Sequence, residues 1–169
     1  MLLPLLISLL FVVAPNDHLI EWKPSARLTW EDFKGTPDYE SENVALTNTS
    51  IQLEYGYDKT SLEYSVKCRF DKTKSWVKIK NDEVLLHEQL HFDIAELYAR
   101  KLRRQLRDYK FNAKTVAEDV NNIYMKIMEE HHSMQKLYDQ ETDHSRLEDR
   151  QAEWVKRIES FLGPGLTRN

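Results

Sequence analysis

Three observations predict an α+β fold, a small antiparallel sheet followed by a helical part. Between Val44 and Lys80, apolar and polar residues alternate with a period of two, the mark of strands buried on one face. From Asp82 onward the apolar residues recur at helical spacing. Within this second half, His87-Glu88-Gln89-Leu90-His91 sets two histidines four residues apart, about one helical turn. A chain of 169 residues is long enough for a real core, and residues 15–169 are assigned to a single domain. Glycine and proline are scarce and no repeat or low-complexity tract is visible. A net charge of -4 argues against nucleic acid as a partner, because nucleic acid selects basic surfaces.

Met1 to Ala14 is almost wholly apolar and uncharged. It falls short of the roughly 20 apolar residues a membrane span needs, but matches the apolar region of a signal peptide. Val12-Val13-Ala14 offers small residues for cleavage, so residues 1–14 are assigned as the leader. No Lys or Arg precedes the run and Pro15 follows it, which leaves an uncleaved anchor or a late gene start as alternatives. No stable membrane span is expected once the leader is removed.

Leu28 to Gly35 reads as a short capped helical turn. Thr29 is the N-cap, Glu31 and Asp32 fill the first turn, and Gly35 stops it before Pro37. Trp30 and Phe33 would cover one side of the core. Ile51, Leu53, Tyr55 and Tyr57 form the apolar face of one strand, and Leu62, Tyr64, Val66, Cys68 and Phe70 that of the next. Asp58-Lys59-Thr60 closes the hairpin between them. Cys68, the single cysteine, falls on the apolar face and is read as a small buried hydrophobe. Ser75 to Lys80 is a shorter candidate strand.

Asn81 or Asp82 caps a long helix running to about Tyr109. At about 100° per residue, His87 and His91 share an arc with Val84, Ile94, Ala95, Tyr98 and Leu102. Gln89, Asp93, Glu96, Arg100, Arg103 and Arg107 fall on the opposite arc, expected to face solvent. A second helix is predicted from about Ala113 to Leu137, with Met125, Met128 and Met134 as core filler. A third, roughly Ser145 to Phe161, presents Trp154, Ile158 and Phe161 on one face and ends at Gly163-Pro164-Gly165.

Two imidazoles one turn apart can converge on one metal ion, while Glu88 between them can reach a metal-bound water as general base. The expected ion is Zn2+. A catalytic zinc takes three protein ligands and keeps one position for water. The HExxHxxGxxH extension is absent, since Ile94 and Leu97 stand where Gly and His would be. The densest remaining group of donors is Tyr138-Asp139-Gln140-Glu141-Thr142-Asp143-His144-Ser145, read as the connection between the second and third helices. His144 is the expected third ligand and Asp139 its rival. Tyr138 is a candidate hydrogen-bond donor to a developing oxyanion. His131 and His132 follow the second helix and are kept in reserve.

The segments Leu28–Gly35, Ser75-Trp76-Val77, Leu86–Glu96 and Tyr138–Ser145 together resemble a bacterial family of predicted secreted zinc-dependent proteases. The resemblance spans nearly everything after the leader. It implies a zincin-like fold and a periplasmic or secreted location. It also implies metal-and-base roles for His87, Glu88 and His91, with Tyr138–Ser145 as the partner of their helix. The expected function is hydrolysis of a peptide or protein substrate by metal-activated water. The alternative is an envelope binding or scaffold module that keeps zinc for stability, with a fourth ligand from Asp139 or Asp143 closing the site.

Overall fold

In the computed structural model, residues 17–163 are described. The leader assigned to residues 1–14 and the terminator Pro164-Gly165 lie outside them. The chain enters through β1 (Leu19–Glu21), passes a 3-10 turn at Trp30–Asp32 and the two-residue strand β2 (Ala45–Leu46), and reaches the hairpin. There β3 (Thr49–Tyr57) and β4 (Leu62–Asp71) pair antiparallel, with Ile51 opposite Cys68 and Leu53 opposite Val66. β1 pairs with the other edge of β4, giving a three-stranded sheet of order β1-β4-β3. The alternation works as predicted near the helices, where Ile51, Val66, Cys68 and Phe70 are buried. Tyr55 and Tyr57 carry the same pattern but are exposed, stacked on each other at the outer end of the hairpin. Asp58 holds the hairpin turn by accepting the N–H groups of Thr60 and Ser61.

The expected strand over 75–80 is only β5 (Trp76–Val77), paired with β2. Ser75 is spent elsewhere. Its hydroxyl donates to Asp71 O at 2.7 Å and accepts Asn48 N–H at 2.9 Å, while its carbonyl accepts Gly35 N–H at 2.8 Å. A Cβ at position 35 would stand 2.8 Å from that same oxygen, so the close approach requires glycine. The 3-10 turn before it is tied by Asp32, which accepts both the N–H and the hydroxyl of Thr29. Phe33 then packs edge-on against Phe70, and Phe70 against Phe92.

α1 (Asp82–Asp108) begins where Asn81 Oδ1 accepts Val84 N–H at 2.8 Å. It packs against the hairpin on one side and against α2 (Val116–Thr142) and α3 (Glu148–Leu162) on the other. Leu90, Phe92, Ile94, Ala95, Ala99 and Leu102 are wholly inaccessible. The expected solvent arc is corrected here, because Gln89, Asp93 and Glu96 are also buried. The segment from Trp22 to Leu28 folds across them. Asp93 Oδ1 accepts Trp22 Nε1–H at 2.8 Å and Gln89 Nε2–H at 3.0 Å, and Gln89 Oε1 accepts Leu28 N–H at 2.8 Å. Arg27 adds an ion pair to Asp93 Oδ2 at 3.4 Å. Burial pushes the Asp93 carboxyl up to about 6, against the pull of Trp22, Arg27 and Gln89. Glu96 is paired with Arg100 and Arg103, and Arg103 also donates to Val66 O on β4. Arg107 keeps the exposed position expected of it, and Arg104 is exposed as well.

α2 runs five residues past its expected end at Leu137, so Tyr138 to Thr142 form its last turn rather than a loop. It stops where Asp143, His144 and Ser145 all take positive φ. Val116, Val120 and Ile127 face the core, whereas Met125 is exposed and fills no part of it. α3 starts three residues later than expected. Trp154 and Ile158 are buried, but Leu162 takes the inward position expected of Phe161, which is 60% exposed. Among the described residues no helix is long and apolar enough to cross a membrane.

Candidate metal centre

Where α2 runs alongside α1, Asp139 stands opposite the two motif histidines. Its Oδ1 lies 3.1 Å from His87 Nε2 and 3.0 Å from His91 Nε2, and the two ring nitrogens are 3.1 Å apart. Among the described residues this is the group of metal-ligating side chains that converges. The rings meet edge to face at 4.7 Å, so both Nε2 atoms point at one place.

Which atoms carry protons follows from the opposite side of each ring. His87 Nδ1 lies 3.2 Å from Gln151 Oε1, and Gln151 Nε2 donates to Glu83 O at 2.9 Å. His91 Nδ1 lies 2.6 Å from Gln135 Oε1, and Gln135 Nε2 donates to His91 O at 2.9 Å. Each amide nitrogen faces an acceptor, so each amide oxygen faces a ring nitrogen, which must donate to it. Both Nδ1 atoms therefore hold the hydrogen, and both Nε2 atoms present lone pairs. Two imidazole lone pairs and a carboxylate oxygen at the corners of a triangle of 3.0–3.1 Å attract a cation. Ligands bound tetrahedrally at zinc's usual distances stand about 3.3 Å apart, close to the separations present. The donor set therefore fits zinc. The outer hydrogen bonds to Gln151 and Gln135 match those that orient metal-binding histidines.

Burial works against charge on His91, but Asp139 and Glu88 outweigh it and raise the pKa of His91. At His87, burial wins and the pKa falls. Burial alone would raise the Asp139 carboxyl, yet its hydrogen bonds to His87 and His91 hold it well below the usual carboxylate range.

Beside the triangle lies a cavity of about 200 Å³. It is lined on one side by His87, Glu88, His91 and Asp139 and on the other by the Asn43–Thr47 segment around β2. Glu88 is buried, and its Oε2 has no hydrogen-bond partner; Thr47 Oγ1, on the facing wall, shares that condition. Buried polar atoms normally find partners, and both of these atoms belong to residues that line the same cavity.

His144 lies on the rim, nearly half exposed, with Nδ1 3.6 Å from Asp139 Oδ1. It stands beside the carboxylate and is not in the mutually close set. The Asp139 position comes from the extra helical turn of α2, which aims its carboxylate at α1. Tyr138 is corrected as well. Its ring is wholly buried and stacks on His87 at 4.5 Å, and its hydroxyl makes long contacts to His87 O and Gln151 Oε1. It forms the floor beneath the histidine and does not point into the cavity. His131 is buried and His132 exposed. Gln135 and Gln151 were not among the expected residues, because glutamine carries no ligand chemistry of its own. Gln135 had a signal, standing four residues before Asp139 on one helix face.

A model of a bacterial family of unknown function, DUF922, matches residues 20–145. The chain belongs to that family. The DUF922 match takes in β1 through the end of α2, and with them His87, Glu88, His91, Gln135, Asp139 and His144. It stops short of Gln151. No curated protein and no solved structure matches the chain.

Proposed function

We propose that this DUF922 protein is a zinc-dependent hydrolase with a zincin-like site, acting on peptide or protein substrates outside the cytoplasm. The observation that carries the reading is the coexistence of three converging ligand atoms with a buried, unpartnered Glu88 oxygen, all on residues that line one cavity. His87, His91 and Asp139 would hold the ion. Bound zinc supplies a Lewis acid and lowers the pKa of water to about 7. The Glu88 carboxylate takes the proton of the attacking water and returns it to the leaving amine. The Asn43–Thr47 segment that walls the cavity would be the part of the chain an extended substrate meets beside the ligands.

Zinc content and the Glu88→Gln variant test the reading together. The variant should keep its zinc and lose cleavage of a diverse peptide library, read by mass spectrometry, by at least about 100-fold. Undiminished cleavage would remove Glu88 as the base. One observation favours a second reading. His144 Nδ1 lies 3.6 Å from Asp139 Oδ1, and as a fourth ligand it would close the site and make the zinc structural in a scaffold module. In that case His144→Ala would lower zinc affinity, and Glu88→Gln would change nothing.

A further inference from the structure

One buried histidine is unused by this reading, and it sits at the end of a hydrogen-bond chain that starts on a metal ligand. His91 Nδ1 donates to Gln135 Oε1 at 2.6 Å. The two hydrogens of Gln135 Nε2 have two acceptors, His91 O at 2.9 Å and His131 Nε2 at 2.9 Å. His131 is one turn before Gln135 on α2, buried, and packed edge-on against Tyr98 of α1. Burial, reinforced by His132 and His91, pushes its pKa down to about 4, so its ring is neutral and Nε2 can accept.

We propose that His131 is a positioning residue of the metal centre, holding the Gln135 amide so that His91 keeps its hydrogen on Nδ1 and its Nε2 lone pair for the ion. The proposal rests on the zinc reading above for its consequence, although the tautomer it sets belongs to the chain itself. A glutamine amide can present either end to a ring nitrogen. Here the nitrogen end is claimed twice, by a backbone carbonyl and by His131, and only the oxygen end remains for His91. His87 needs no such device, because Gln151 Nε2 meets the Glu83 carbonyl and the Glu83 carboxylate. The ordinary alternative is that His131 merely fills space beside Tyr98.

Three variants separate these roles. His131→Phe keeps a ring against Tyr98 but offers Gln135 no acceptor. His131→Gln restores an acceptor oxygen near the Nε2 position. Gln135→Leu removes the link. Zinc affinity is measured by chelator competition, and the His91 tautomer by ring ¹⁵N chemical shifts in metal-free protein at pH 8.5. His131→Phe should weaken zinc binding about tenfold and Gln135→Leu by 10- to about 100-fold, the range for partners outside the ligand shell. His131→Phe should also move hydrogen from Nδ1 to Nε2 of His91, and His131→Gln should reverse both effects. Equal zinc affinity and an unmoved tautomer in His131→Phe would overturn the proposal, as would equal losses in His131→Phe and His131→Gln. Wild-type protein that takes up no zinc would defeat the hydrolase reading alone, since the tautomer measurement needs no metal and still decides the role of His131.

Discussion

α1 carries two buried polar clusters on opposite flanks, and they differ in how completely they are satisfied. On the sheet side, Asp93 and Gln89 meet Trp22, Arg27 and the Leu28 N–H, a closed set with donors and acceptors matched. On the α2 side, three lone-pair atoms crowd a triangle, and Glu88 Oε2 has no partner at all. A closed set staples the N-terminal segment to the helix. An open set costs stability in the empty protein and gains only when something binds. Burial of charge on a helix therefore does not by itself mark a functional site; what marks it is the unmet hydrogen bond.

If the sheet-side cluster is structural, breaking it should be the costlier change in the metal-free protein. Asp93→Ala strands Trp22 Nε1–H and Gln89 Nε2 around a small void. The expected loss is about 3 kcal/mol in denaturant unfolding, with zinc affinity per folded chain little altered. A loss below about 1 kcal/mol would break the comparison.

Acid should act through the α2-side flank, at His131. Its folded pKa lies near 4, below the usual 6.5, so the unfolded chain binds the extra proton first. This contribution is complete above pH 6.5 and is lost as pH falls through 4. The difference in unfolding free energy between wild type and His131→Gln should therefore shrink by about 2 to 3 kcal/mol between pH 7 and pH 4. A pH-independent difference would contradict a buried neutral imidazole.

The smallest effect belongs to Glu88→Gln. Replacing a carboxylate that has one buried, unpartnered oxygen by a neutral amide should change metal-free stability by no more than about 1 kcal/mol. A loss like that of Asp93→Ala would mean that Glu88 is part of a closed structural set.

Much of this arrangement was legible in the chain. The shift from a period of two to helical spacing separates hairpin from helices, Asn81 marks the start of α1, and the histidine spacing fixes which flank holds the ligands. The sheet-side cluster was not legible, because a helical wheel sends Gln89, Asp93 and Glu96 to solvent and cannot see the Trp22–Leu28 segment that covers them. The end of α2 was missed for a different reason. No glycine or proline separates Leu137 from Thr142, so the helix continues, and the stop comes from three consecutive left-handed residues with no glycine among them. That extra turn aims Asp139 at the histidines and buries Tyr138 beneath them. The Phe161 and Leu162 exchange is a one-residue phase error in α3, where both positions are apolar.

Zinc stoichiometry and affinity, measured by elemental analysis and chelator competition on wild type and Asp139→Ala, test the central claim most directly. The account predicts one zinc per wild-type chain, and at least about 100-fold weaker binding in the variant, about 2.7 kcal/mol, once one of three ligands is gone. A wild-type protein that stays metal-free in excess zinc, or an Asp139→Ala protein that binds as tightly as wild type, would contradict it.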